Sequence, residues 1–312
     1  MQVFRSLDEI IRPFPGAVIT IGNFDGVHIG HQALFHTVLE KAEASKGTAL
    51  AMTFEPHPLK LFKKSEAPPL ITMLPQKIEL IEKTGIDALI VVPFTPEFAK
   101  TPARTFVSDI LMSRLGVSTL VVGPDYSFGR GREGNVESLA KLSGELAFTL
   151  SVVPWIEALA PNGERISSTR IRDLVQKGLV EEARRLLGRD YQVRGTVIHG
   201  HNRGGRLLGF PTANLAPEDE LIPAFGVYAV TVEIAGRMHQ GVANVGKNPT
   251  FGDDAASIEA HILDFSGDLY GSPIKLNFVA RLRGEKKFSG VEELKEQIAK
   301  DIRRARKLLP LA

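Results

Sequence analysis

Four short apolar runs, GAVITIGNF, TALAMTFEP, DALIVVPF and STLVVGPDY, alternate with segments of helical period, and this alternation constrains the fold more than any other feature. Each run is short, apolar and closed by turn or breaker residues, as a buried strand is. After the first, HQALFHTVLEKAEASKG puts Leu34, Val38 and Ala42 on one helical face, with Gly47 just past its end. Residues 76–84 and 103–115 read as further helices, and ELAFTLSVVPW as a fifth strand. Strands separated by helices imply a parallel sheet with helices on its faces, a Rossmann-like α/β domain. Ligands of such sheets bind beyond the carboxyl ends of the strands, where GNFDGVHIGH, TFEPHP and VVGPDYSFG fall.

The pattern changes near residue 190. Two short helices, STRIRDLVQKG and LVEEARRLLG, close the first half, and YQVRGTVIHG, GVYAVTVEIAG, MHQGVANVG, SIEAHILDF and PIKLNFVARLRG follow. Tyr228, Val230, Val232 and Ile234 alternate with Thr231 and Glu233, a period of two. Successive strands with few helices between them suggest an antiparallel barrel or sandwich. A C-terminal helix carries Val291, Leu294, Ile298, Ile302 and Ala305 as its apolar stripe, with Ser289 and Glu292 as a capping box. A chain of 312 residues exceeds what one core usually serves, so the reading is two domains, 1–186 and 187–312.

Bulk properties exclude several classes. The net charge is +2, from 38 basic and 36 acidic residues, which gives no global argument for nucleic acid or an anionic membrane. No apolar run is long enough to span a bilayer, and the N-terminal stretch lacks the apolar core of a secretory signal, so a cytoplasmic protein is expected. With no cysteine there is no disulfide, thiolate metal site or cysteine nucleophile.

A glycine-rich strand-to-helix turn presents backbone N–H groups to an anion. Gly22 and Gly26 allow close backbone approach, and the imidazoles of His28 and His31 can donate to phosphate oxygens. A plain structural pair of histidines and a zinc site completed by Asp25 are the alternatives. RISSTRIR, residues 165–172, reads as a helix start whose hydroxyls cap and whose arginines clamp a polyphosphate. Class I aminoacyl-tRNA synthetases share HIGH, but the lysine-rich loop that accompanies it there is absent. In GFPTANL, which lacks the lysine of a P-loop, Thr212 and Asn214 offer hard oxygens suited to Mg²⁺, or a plain turn.

TIGNFDGVHIGHQAL, TFEPHP, VVGPDYSFGRGREG and RISSTRIR, in that order, resemble the prokaryotic bifunctional riboflavin kinase/FMN adenylyltransferase family. GRLLGFPTANL, FGVYAV, NVGKNPTF and IEAHILDFSGDLYG resemble its kinase module, so the likeness spans nearly the whole chain. The resemblance implies an α/β nucleotidyltransferase domain followed by an antiparallel β-barrel with a C-terminal helix. It implies riboflavin, FMN and ATP as substrates, Mg²⁺ as cofactor, FMN and FAD as products, and no nucleic-acid or membrane partner. It gives His28 and His31 the stabilisation of the transferring group, and Asn23, Ser168, Thr169 and Arg172 the polyphosphate. Gly22 and Gly30 belong to the nucleotide turn, Asp125 to the flavin or phosphate side, and Gly205, Gly209, Thr212 and Asn214 to the kinase site. Thr212 and Asn214 are the metal ligands and Glu259 the base. Tyr126 stands where the family more often has Phe. His57 is either a flavin contact or a surface histidine.

Overall fold

A computed structural model describes residues 1–63, 67–156, 165–198, 210–217, 220–247 and 256–309. The chain divides into two compact units, Met1–Ser167 and Ser168–Ala312.

The first unit is built on β1 (Gln2–Phe4), β2 (Ala17–Ile21), β3 (Ala49–Glu55), β4 (Ala88–Pro93), β5 (Val117–Val122), the β6–β7 hairpin (Ser127–Phe128 and Gly134–Asn135) and β8 (Thr149–Val152). Six of these form one parallel sheet in the order β1-β4-β3-β2-β5-β8. Helices α1 (Ile29–Ser45), α2 (Pro58–Lys63), α3 (Leu74–Glu82), α4 (Ala103–Thr105) and α5 (Val136–Leu146) connect them. Strand residues alternate between two cores. Val18, Ala51, Leu89 and Val121 pack with Phe35 and Val38 of α1 and Ile81 of α3. Ile19, Met52, Ile90 and Leu120 pack with Val107, Leu111 and Leu139 on the other face. The sheet is therefore buried on both faces, which is why its strands read as unbroken apolar runs.

Local details differ from the sequence reading. The 103–115 helix is α-helical only at Ala103–Thr105 and continues as a π-helix over Phe106–Arg114. Residues 145–146, read as strand, belong to the last turn of α5, which Asn135 and Ser138 open with a reciprocal capping box. The edge strand β1 is too short to show a period. At the end of α1 the left-handed residue is Lys46 (φ 52°), while a Cβ on Gly47 would collide with the Gly16 carbonyl oxygen.

The second unit begins with α6 (Ser168–Gln176) and α7 (Val180–Leu187). These helices close the first half in sequence, yet they group with the barrel, because α7 packs on two of its strands, β9 (Tyr191–Ile198) and β14 (Pro273–Arg283). The others are β10 (Ala213–Pro217), β11 (Gly226–Ile234), β12 (Arg237–Lys247) and β13 (Ala256–Ile262), closed antiparallel in the order β10-β13-β12-β11-β14-β9. Tyr228, Val230, Val232, Ile258, Ala260, Leu276 and Phe278 are fully buried, the inward set of the period-two strands. Helix α8 (Val291–Leu308) lays Ile302 and Ala305 on the outward Val227, Ala229, Val242 and Leu282. Its first turn corrects two readings. The cap position is Gly290, one residue later than expected, so Glu293 and not Glu292 takes the Ser289 N–H (2.9 Å) and hydroxyl (2.8 Å). Val291, in that turn, is exposed rather than part of the stripe.

Candidate active sites

Strand β2 ends at Ile21, and the Gly22 N–H still joins the sheet through the Met52 carbonyl (3.0 Å). The chain then turns left-handed at Phe24 (φ 46°), Gly26 (φ 87°) and Val27 (φ 40°) before α1 begins. A non-glycine residue in this region costs roughly 1–3 kcal/mol, so Phe24 and Val27 must be held there by their surroundings. Both are fully buried apolar anchors. His28 caps α1: its Nδ1 accepts the His31 N–H at 3.3 Å. With Nδ1 accepting, the ring proton of a neutral His28 sits on Nε2, which is then a donor. The two imidazoles stack at 3.6 Å with 18° between planes, and Phe24 meets His31 edge-on at 5.3 Å.

The glycines serve these rings. A Cβ on Gly22 would meet the Phe24 ring at 2.8 Å, and one on Gly30 the His28 ring at 3.2 Å. Asn23 gives its carbonyl to the Thr53 hydroxyl (3.2 Å). Asp25 is buried, and its carboxylate accepts the backbone N–H groups of Ile71 (3.0 Å) and Thr72 (3.0 Å). It is a structural anchor, which removes the zinc alternative. No group of three or more His, Asp or Glu able to hold a metal occurs among the described residues. Behind it, Lys77 is only 2% exposed. Burial pushes its amine below the ordinary lysine range, while the Asp25 and Glu55 carboxylates pull it back up. Sequence reasoning missed Lys77 and Thr72, since nothing local distinguishes a lysine or threonine in this segment. His57 is buried and its Nδ1 accepts the Leu59 N–H (3.1 Å). That is a local capping role.

At the end of β5, Asp125 pairs with Arg165, whose guanidinium lies 3.4 Å over the Trp155 ring. Tyr126 stacks on Phe128 at 5.6 Å, and burial raises its hydroxyl above the ordinary tyrosine range. The first arginine of RISSTRIR is tied to Asp125 within the first unit, whereas Ser168, Thr169 and Arg172 open α6 in the second.

The second unit holds a cavity of about 350 Å³ between the barrel's outer wall and α8, lined in part by Thr212, Asn244, Glu259, His261, Arg283 and Asp301. Glu259 therefore lies on the outer wall beneath α8. It sits directly opposite Asn214 on β10 and Asn244 on β12. Ile258 and Ala260 point inward and Leu215 does likewise on β10, so Glu259 and Asn214 share the outer face. Burial raises the Glu259 carboxyl above the usual glutamate range. No salt bridge is formed by it among the described residues. The neighbouring charges are committed elsewhere: Arg283 to Asp301 (2.9 Å) and Lys286 to Glu293 (2.9 Å). His261 Nδ1 lies 2.8 Å from the Pro211 carbonyl. Gly205 and Gly209 lie outside the described residues.

A parallel α/β unit with a histidine pair at a helix N-terminus, joined to a closed barrel with a carboxylate in its side cavity, defines a two-part enzyme of nucleotide and phosphoryl transfer. An FAD synthetase family model matches residues 11–170, and a riboflavin kinase family model matches 187–309. The chain belongs to the bifunctional riboflavin kinase/FMN adenylyltransferase family. It is 38% identical to the protein of that name from Escherichia coli K12, covering 100% of this chain and 99% of the relative. It is 42% identical to that of Listeria monocytogenes, covering 91% and 90%. A solved structure described as a macrolide-efflux protein from Streptococcus pneumoniae superposes with a TM-score of 0.86 at 32% identity, covering 97% of this chain and 98% of that one. No helix among the described residues is long and apolar enough to cross a membrane.

Proposed function

We infer that this chain phosphorylates riboflavin to FMN with one ATP and adenylylates FMN to FAD with a second, releasing pyrophosphate. The observation that carries this reading is that one chain matches both family models, with a histidine pair at a helix start in one unit and a half-buried carboxylate facing a cavity in the other. In the kinase step, the primary alcohol of riboflavin attacks the γ-phosphorus of ATP, the bond to ADP breaks, and Glu259 accepts the hydroxyl proton. A carboxylate raised by burial and facing a cavity suits that task. Thr212 and Asn214 place hard oxygens beside it, a donor set that fits Mg²⁺. Bound with ATP, Mg²⁺ would neutralise charge on the phosphate oxygens.

In the second step, a phosphate oxygen of FMN attacks the α-phosphorus of ATP and pyrophosphate leaves. His28 and His31, held at the α1 N-terminus, donate to the oxygens on which charge builds. Asn23, Ser168, Thr169 and Arg172 hold the polyphosphate in this reading, Asp125 the flavin or phosphate side, and Gly205 and Gly209 the kinase nucleotide. Adenylyl transfer is assigned to residues 1–186 and the kinase to 187–312. A cytoplasmic location, where ATP is at hand, belongs to the same proposal. Incubating the purified chain with riboflavin, ATP and Mg²⁺ and resolving the flavins by chromatography tests it: FMN should appear first and FAD after it. Absence of both products would sink the reading.

A further inference from the structure

The turn that carries His28 is strained at two non-glycine residues, and one side chain from outside the turn engages it twice. Thr72 lies 46 residues beyond Gly26, just ahead of α3. Its hydroxyl oxygen accepts the Gly26 N–H at 2.9 Å, and its hydroxyl proton points to Asp25 Oδ1 at 3.3 Å. Its own backbone N–H and that of Ile71 donate to the same carboxylate. The Ile71 side chain closes the space above Gly26, where a Cβ would meet it at 3.2 Å. The hydroxyl thus uses both its donor and its acceptor on consecutive residues of the turn, between left-handed Phe24 and Val27. Thr72 itself is buried, at 1% exposed, so water does not compete for either bond.

We propose that the Thr72 hydroxyl is a positioning group for adenylyl transfer: it pins Asp25 and Gly26, and through them sets the place of His28 at the helix start. This rests on the adenylyl-transfer reading above. Thr72 touches no reacting atom; it acts on where the imidazoles stand when charge develops on the phosphates. An error of about 1 Å at such a donor costs on the order of 10²-fold in rate. Valine has the shape of threonine without the hydroxyl, and serine has the hydroxyl without the methyl.

The test is steady-state kinetics of both reactions on the full chain. Thr72→Val should lower kcat for FMN adenylylation by roughly 10- to 100-fold. KM for FMN and ATP should change little, riboflavin phosphorylation by the same protein should be unaffected, and Thr72→Ser should recover the lost turnover. A Thr72→Val enzyme with unaltered adenylyl transfer overturns the inference. So does a loss shared equally by the kinase, or one that Thr72→Ser fails to recover. If the unmodified chain makes FMN but no FAD, the adenylyl-transfer reading falls and this inference with it. FAD formation by the unmodified chain beside an unimpaired Thr72→Val overturns the inference alone.

Discussion

Glu259 and Asn214 stand directly opposite each other on the neighbouring antiparallel strands β13 and β10, both on the outer wall of the barrel. Directly opposed side chains on one face of a sheet lie close enough to share a small ligand. In the proposed kinase reaction Glu259, which lines the cavity beneath α8, is the proton acceptor, and Asn214 across from it is a hard oxygen donor. Replacing Glu259 by Gln keeps size and hydrogen-bonding capacity but removes the acceptor. Turnover of riboflavin phosphorylation should fall on the order of 10²–10⁴-fold, while supplied FMN is still converted to FAD. Flavin products separated after timed incubations check this, and an unimpaired Glu259→Gln kinase would reduce the carboxylate to a wall residue.

The same carboxyl has a consequence for stability. Burial raises its pKa in the folded state above that in the unfolded chain. The folded protein then binds the extra proton in the window between the two values, so its contribution to stability is greatest below the ordinary glutamate pKa and is lost as pH rises through the raised one. Glu259→Gln should therefore melt higher than the unmodified protein near pH 7. The difference should shrink as pH falls below the ordinary glutamate range, about 4.3. Melting curves across that range decide it. A variant that melts lower at neutral pH contradicts the sign. In the kinase pH profile, the acidic limb should lie above the usual glutamate range.

His31 stacks on His28 and sits in the first turn of α1. His31→Ala should lower FMN adenylylation by about 10²-fold or more, the scale of losing one preorganised donor to developing charge. Riboflavin phosphorylation should persist, because its residues lie in the other unit. Parallel assays of the two reactions on one preparation give the comparison. Equal loss of both in a folded protein would mean that the two activities are not independent.

Cutting the chain should separate the activities and show where α7 belongs. Residues 1–186 should convert FMN to FAD and leave riboflavin untouched. A barrel fragment starting at 187 should melt below one starting at 168. Val180, Ala183 and Leu186 of α7 are buried, and α7 packs on β9 and β14. Burial of each Val or Leu side chain is worth about 1.5–3 kcal/mol, as an upper estimate. Equal melting temperatures for the two barrel fragments would show that α7 adds nothing to that core.

Much of this protein is written locally. The double-sided burial of β2 to β5 appears as apolar runs, and the inward set of the barrel strands as a period-two alternation. Both periods follow from the backbone repeat, so they need no knowledge of partners. The histidine turn and RISSTRIR likewise announce themselves, because strand–glycine–helix junctions and serine-rich helix starts are local anion-binding geometry. What the sequence could not determine is which distant groups meet. Asp25 looks like a metal ligand until Thr72 is folded against it, and Lys77 looks like a surface charge until folding buries it near Asp25 and Glu55. The affiliation of α7 and the cavity around Glu259 were decided the same way, by apolar surfaces finding complementary shapes across the chain. Burial and close packing depend on such tertiary partners, and they set both the pKa of Glu259 and the placement of the histidines.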